Sequence, residues 1–262
     1  MTIATSFLPA GSVFRAERMH YLNRILTSAT RARVIRGDHP AMPYVRHFPG
    51  SMLDYLLVKC FGDLHNLRFI QIGANDGTQA DPIISLIERY AWSGILLEPV
   101  PAPFASLQKL YALNPRIRLI NAALDTTKGS RVIYDFQPPV NDLPGWSRGL
   151  ASFSREQVIS AARSFGFGAE TVKSLEIATL TWDDIWPRDN PGCDLLVLDT
   201  EGYDCALLSS INLSVMRPRM IQFEHACASL DETLSVYRTL RLAGYEIATE
   251  GTDTLAWLPP PI

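Results

Sequence analysis

Cysteine is scarce: there are four in 262 residues, and Cys60, Cys193, Cys205 and Cys227 are scattered without a CxxC pair. That spacing argues against a zinc site and against a disulfide framework, and it fits a reducing cytoplasm. Charge is modest as well. Charged residues make up 19% of the chain and the net charge is −3, so no global field draws in a phosphate backbone or an anionic lipid surface. No apolar run reaches the roughly 18 residues that a membrane-spanning helix needs. The apolar stretch Ile3–Leu8 is broken by Pro9, Gly11, Arg15 and Glu17 before a secretory core develops. Repeats and low-complexity tracts are missing too. The expectation is a cytoplasmic protein whose partner is a small molecule, with no nucleic acid and no membrane.

Hydrophobic residues make up 47% of the chain, enough for a sizeable core. Residues 1–65 carry helical spacing, with Met19, Leu22, Ile25 and Leu26 on one face and Met52, Leu53, Leu56 and Leu57 on another. A connection punctuated by Pro40 and Pro43 lies between them. This pattern predicts an N-terminal helical extension leaning on a main domain that spans 66–262. From Leu67 onward, short apolar runs alternate with helical segments. The runs are Leu67–Ile72, Gly94–Leu97, Ile117–Ile120, Leu195–Leu198 and Met220–Phe223, and the helices fall near Pro82–Tyr90, Phe104–Leu113, Tyr203–Ile211 and Thr233–Leu242. Such alternation predicts an α/β fold built on a mostly parallel sheet. Two further β-like stretches, Arg131–Phe136 and Val172–Thr179, flank a Pro- and Gly-rich loop over 137–149, read either as a cover over a pocket or as an insertion packed by Trp146. At the C-terminus, Tyr245–Thr249 and Thr254–Leu258 predict an antiparallel hairpin across Glu250–Asp253.

The first strand runs straight into a glycine-bounded turn, Gln71-Ile72-Gly73-Ala74-Asn75-Asp76-Gly77. Glycine there lets the backbone take positive φ and approach a bulky ligand. The next strand ends in Glu98-Pro99, and an acid about 20 residues past such a turn is placed to grip a ribose diol. Two sugar-bearing cofactors meet that description. A dinucleotide wants G-x-G-x-x-G and free backbone donors for its pyrophosphate. Here Ala74 stands at the second glycine and Asp76 sits in the turn, which suits the phosphate-free, cationic S-adenosylmethionine better. After the third strand, Asn121 and Ala122 are candidates for an adenine slot.

Two more strands end in acids. Leu195–Leu198 delivers Asp199 and Glu201, and Met220–Phe223 delivers Glu224 and His225. In an open α/β sheet such tips face the ligand crevice, so these four side chains are candidates to align an acceptor and take its proton. The same hard oxygen ligands suit magnesium or manganese, and the sequence leaves a metal requirement open.

The series Gly73-Ala74-Asn75-Asp76-Gly77, Glu98-Pro99, Thr181-Trp182-Asp183-Asp184, Asp199-Thr200-Glu201-Gly202-Tyr203-Asp204 and Phe223-Glu224-His225 resembles the FkbM-type methyltransferases over about Phe69–His225. The resemblance implies a class I, Rossmann-like fold in which a terminal hairpin reverses the last strand. It also implies an S-adenosylmethionine-dependent O-methyltransferase that leaves S-adenosylhomocysteine and acts on hydroxyls of sugars, glycans, polyketides or related secondary metabolites. By matching position, Gly73, Asn75, Gly77 and Glu98 hold the cofactor, and Asp199 and Glu201 line the methyl-transfer site. One departure is Gln71, where many family members carry an acid. Two other readings stand beside this one: a nicotinamide-dependent oxidoreductase, and a non-catalytic S-adenosylmethionine-binding protein whose acids and His225 only cap strand ends.

Overall fold

The computed structural model describes residues 51–78, 81–139, 150–186 and 192–259. The helical spacing around Met19–Leu26, the connection near Pro40, and Trp146 with most of the 137–149 loop lie outside the described residues.

A seven-stranded sheet forms the centre. Its members are β1 (Arg68–Ile72), β2 (Ser93–Leu97), β3 (Ile117–Ile120), β8 (Leu195–Leu198), β9 (Met220–Glu224), β10 (Glu246–Glu250) and β11 (Asp253–Trp257), in the order β10-β11-β9-β8-β1-β2-β3. Every pairing from β3 across to β9 is parallel, while β11 runs antiparallel to both of its neighbours. The hairpin read from the C-terminal sequence is therefore present. Its reversed strand lies inside the sheet, between β9 and β10. This is the class I arrangement.

Two-residue periodicity explains why these runs form strands with both faces covered. Ile70, Ile72, Leu196, Leu198, Ile221 and Phe223 pack on one side, while Phe69, Leu195, Val197 and Met220 pack on the other. The flanking helices are α2 (Ile84–Arg89), α3 (Pro101–Leu110), α6 (Asp204–Ser210) and α7 (Leu230–Leu242). Helix α1 (Met52–Phe61) starts in a capping box made by Ser51 and Asp54. Its Met52, Leu53, Leu56, Leu57 and Cys60 join the same core layer as Phe69 and Met220. Leu56 and Leu57 are both fully buried, each contributing about 1.5–3 kcal/mol of apolar burial. No helix among the described residues is long and apolar enough to cross a membrane.

Between β3 and β8 the chain builds a second sheet. It contains β4 (Ala123–Leu124), β5 (Gly129–Phe136), β6 (Ala151–Ser152) and β7 (Val172–Leu180), in the order β4-β7-β5-β6. The two β-like stretches flanking the Pro/Gly-rich loop thus pair with each other, in an antiparallel ladder from Gly129↔Thr179 to Phe136↔Val172. Helix α4 (Arg155–Ser164) lies in the same insertion, started by Ser154, whose hydroxyl accepts from the Gln157 N–H. This helix is polar over most of its surface, and Val158 and Ala162, one turn apart on a single face, alone on it are buried. The remaining short helix, α5 (Trp182–Ile185), buries Trp182 and Ile185.

Candidate functional site

Because β1, β2, β8 and β9 are parallel, their carboxyl ends gather at one edge of the sheet, where α/β proteins place ligands. A cavity of about 340 Å³ opens there. Ten of the residues picked out from sequence line it: Gln71, Gly73, Ala74, Asn75, Glu98, Pro99, Ala122, Asp199, Glu201 and Glu224. Asp76, Gly77, Asn121 and His225 are not in its lining.

The near half is built by the β1 turn and the tip of β2. Gly73 and Ala74 donate their backbone N–H groups to Leu97 O, at 3.0 and 2.9 Å. Gly73 has φ of +80°. Asn75 also has positive φ, +50°, and its N–H donates to Glu98 Oε2 at 2.8 Å. The other carboxylate oxygen accepts from Val100 N–H at 2.8 Å. Glu98 is only 6% exposed, and burial pushes its pKa up to about 7 despite these two hydrogen bonds, with Asp135 and Asp76 adding like-charge repulsion.

The residues left outside the lining support this half from behind. Asn121 donates Nδ2–H to Glu98 O at 2.8 Å and to Pro99 O at 3.1 Å, so it braces the loop after β2. Asp76 Oδ1 accepts from the N–H and hydroxyl of Thr78, both at 2.8 Å, which closes the turn. Gly77 packs against Leu107 of α3, where a Cβ would come within 2.7 Å of a methyl group.

The far half is acidic. Asp199, Glu201, Glu224 and Asp253 all line it. Asp199 is set deep at the tip of β8 yet open to the cavity. Burial first, and then the charges of Glu201, Asp204, Glu224 and Asp253, hold its pKa well above the usual carboxylate range. Asp253 rises to about 6 through burial and the neighbouring Glu224. Behind them Asp204 is fully buried, accepts from the Thr200 hydroxyl at 2.9 Å, and is raised by burial to about 7. Glu201 itself has φ of +50°, an uncommon conformation for a side chain without local hydrogen-bonding reach. Ser152 of β6 holds that turn by donating its hydroxyl to Glu201 O at 2.8 Å.

His225 is not brought to this group. It is 1% exposed, its N–H donates to Thr252 O, and its ring Nδ1 lies 3.0 Å from Thr254 Oγ1. Thr254 is shared with the Tyr237 hydroxyl, so the imidazole belongs to a buried polar cluster under the wall. For a metal, Glu201, Glu224 and Cys227 each place a ligand atom within 4.8 Å of the others.

The structure adds lining residues that sequence reasoning passed over. Asp81 and Asp253 do so, as do Ser152, Phe153 and Tyr203. Tyr203 donates its hydroxyl to Asp125 Oδ1 at 2.7 Å and meets Phe153 edge-on at 5.1 Å. Arg131, paired with Asp125 at 3.0 Å, lies 3.8 Å over the Phe153 ring and stiffens that wall. Asp81 sits just ahead of α2, a signal for a helix start, whereas nothing in sequence announces that β6 comes back to the cavity. Six carboxylates in total face the space, and among the described residues no lysine, arginine or histidine lines it.

This crowding has a consequence for stability. The raised folded-state pKa values of Glu98, Asp204 and Asp253 mean that the folded chain binds more protons than the unfolded one over this range. Stability is thus greatest below the unfolded carboxylate values and falls as pH rises through about 6 to 7. The ligand-free Tm is expected to drop between pH 5.5 and 8. Glu98→Gln, which cannot titrate, should flatten that drop in thermal melts across the range. Identical slopes for both proteins would show that Glu98 ionises normally.

The sequence matches the family model described as the methyltransferase FkbM domain over residues 71–247. Among solved structures, the chain is similar to the methyltransferase FkbM from Methylobacillus flagellatus KT, with 14% identity, a TM-score of 0.46, and coverage of 73% of this chain and 43% of that one. It thus spans less than half the length of that protein. It is also similar to the Methanococcus jannaschii fibrillarin pre-rRNA processing protein, with 11% identity, a TM-score of 0.40, and coverage of 80% and 76%. A methyltransferase from Pyrococcus furiosus is a third, with 12% identity, a TM-score of 0.38, and coverage of 95% and 99%. No curated protein matches the sequence. The family model takes in the β1 turn, the β2 and β8 tips and the β9 acids, and the chain belongs to the FkbM methyltransferases, a family of S-adenosylmethionine-dependent enzymes.

Proposed function

We propose that this protein transfers a methyl group from S-adenosylmethionine to a hydroxyl of a sugar, glycan, polyketide or related metabolite. The observation that carries this reading is the wall of six carboxylates, unrelieved by any cation among the described lining residues. S-adenosylmethionine brings a sulfonium and an ammonium and no phosphate. A dinucleotide would set its pyrophosphate against like charge.

The near half fits the donor. Each Glu98 oxygen keeps a second lone pair beyond its backbone bond, free for a ribose hydroxyl. Gly73, lacking a Cβ, lets the β1 turn close against the backbone of Asp199 at the cavity floor. Ala122, Ala123 and Leu124 are small or apolar lining positions suited to a flat base. When bound, the donor supplies an electrophilic methyl group on a neutral leaving group. The far half of the cavity then has two tasks, to align the acceptor and to take its proton. Phe153 and Tyr203 offer a firm apolar wall to a ring. Asp199, at the β8 tip and with its pKa held well above the usual carboxylate range by burial and by its acidic neighbours, is the candidate proton acceptor, and Glu201 and Glu224 lie beside it.

The test is methyl transfer from radiolabelled S-adenosylmethionine to a panel of hydroxylated acceptors, with S-adenosylhomocysteine measured in parallel. Label is expected in an ether-linked methyl group, with one equivalent of S-adenosylhomocysteine formed per methyl. Label confined to amines or carbon would refute the O-methyl assignment. Tight S-adenosylhomocysteine binding with no transfer to any acceptor class would favour a binding protein.

A further inference from the structure

Three acids stand in one row across the rim of the sheet. Leu198 of β8 pairs with Phe223 of β9, which brings Asp199 level with Glu224. Glu224 in turn pairs with Asp253, because β11 is reversed and its first residue reaches the same rim. All three line the cavity. Like charges directly opposite each other on neighbouring strands are destabilising, and the protein does little here to offset them. Asp253 accepts only one side-chain hydrogen bond among the described residues, a long one of 3.4 Å from Gln222 Nε2. Asp199 is enclosed on nearly every side, opens to the cavity, and accepts no hydrogen bond on its carboxylate among the described residues. A buried acid without a donor of its own points to a ligand that brings one.

The methyl donor does not suffice. It carries a sulfonium, an ammonium and a carboxylate, a net single positive charge, while six carboxylates face the space. In the strand order β11-β9-β8-β1-β2, a donor held by Glu98 and the β1 turn presents its methyl group toward β8. Glu224 and Asp253 then lie past the methyl group, on the acceptor side. Neighbouring strands are about 4.8 Å apart, which sets these two acids roughly 5–10 Å beyond Asp199, the span of one sugar ring.

We propose that the acceptor is cationic: besides the hydroxyl that is methylated it carries a protonated amine, bound between Glu224 and Asp253, as in an amino sugar or an aminocyclitol. This rests on the methyl-transfer reading above and narrows its acceptor class. An ammonium has three donors, enough to bridge both carboxylates, and its charge relieves their repulsion. The protonated amine has no lone pair to receive a methyl group, so transfer goes to the hydroxyl beside Asp199.

The test is calorimetry on the full chain saturated with S-adenosylhomocysteine, in buffer containing a chelator. The probes are matched rings that differ only in amine for hydroxyl: glucosamine against glucose, and streptamine against scyllo-inositol. In at least one pair the amine is expected to bind roughly tenfold tighter or more, the size of a charge-assisted hydrogen bond. Asp253→Asn keeps the side-chain shape and removes the charge. It should shrink that advantage severalfold and leave S-adenosylhomocysteine affinity within about twofold. Asp253 also lies outside the Glu201, Glu224 and Cys227 group that could hold a metal, so its effect separates an amine from a metal ion. Equal affinity within both pairs, binding of the neutral rings alone, or binding of no ring overturns the inference. So does an amine preference that survives Asp253→Asn and Glu224→Gln together, or magnesium binding that excludes streptamine when the chelator is left out. A wild-type chain that fails to bind S-adenosylhomocysteine at the outset would instead remove the donor assignment on which this rests.

Discussion

Asp199→Asn is expected to lower methyl transfer by about 10²–10⁴-fold, the usual worth of a positioned proton acceptor, while S-adenosylhomocysteine affinity stays within a few-fold. Asparagine keeps the shape of the side chain at the β8 tip and cannot take a proton. The position matters because Asp199 alone among the cavity acids feels Glu201, Asp204, Glu224 and Asp253 together. Burial first, and then that crowd, favours its protonated form and makes its carboxylate a stronger base than a solvated one. The wild-type rate should accordingly climb with pH as Asp199 loses its proton, and the variant should lose that limb of the profile. His225 provides the contrast. Its ring is enclosed with Thr254 and Tyr237, so a loss of turnover in His225→Ala should come with a lower Tm, whereas Asp199→Asn, which removes a buried carboxylate crowded by like charge, should melt no lower than wild type. Turnover of Asp199→Asn within fivefold of wild type, at saturating acceptor, would move the base to Glu201 or Glu224.

The parts of this molecule that are legible in sequence are those where one local requirement has one solution. Central strands buried on both faces must be continuous apolar runs, and Leu195–Leu198 reads that way because all four residues are buried. The β1 turn is legible because Gly73 needs positive φ at a ligand-facing bend. Glu98 is legible because a carboxylate at the end of an apolar strand is too costly without a purpose. The hairpin could be seen from its turn, although its insertion beside β9 depends on the Asp253↔Glu224 register, a long-range pairing with no local signature.

What stayed hidden depends on contacts distant in sequence. Ser152 and Phe153 reach the cavity only because β5 and β7 form their own sheet and carry β6 back to the β8 tip, where Ser152 meets Glu201 across 49 positions. Alternation in β5 and β7 predicts strands and says nothing about which sheet receives them. His225 misleads for the opposite reason. It follows Glu224 directly, but successive side chains at a strand end point to opposite faces, so an acid facing the cavity sends its neighbour into the interior. Asn121, Asp76 and Gly77 occupy the expected turns and act from behind the wall.

Gly73→Ala is expected to be the most damaging single change to folding. Alanine at φ of +80° carries a conformational penalty of about 1–2 kcal/mol. The larger cost is steric, since a Cβ there would sit 1.8 Å from Asp199 O and 2.9 Å from its carbonyl carbon. Neither neighbour can yield. Asp199 N–H is bonded to Ile72 O at 3.0 Å, extending the β1–β8 ladder, and Gly73 N–H is bonded to Leu97 O on the other side. Relief therefore requires β1 and β8 to part at the floor of the cavity. We expect a loss of at least about 3 kcal/mol, a Tm lower by roughly 6–12 °C for a chain of this size, and no measurable S-adenosylhomocysteine binding in whatever protein folds. Gly251→Ala separates the two costs. Gly251 has φ of +60°, and nothing lies within 4 Å of where an alanine methyl group would stand, so that variant carries the conformational part alone. A Tm for Gly73→Ala within 2 °C of that for Gly251→Ala would mean that the two strand ends are not pressed together as described, and the cavity floor would have to be redrawn.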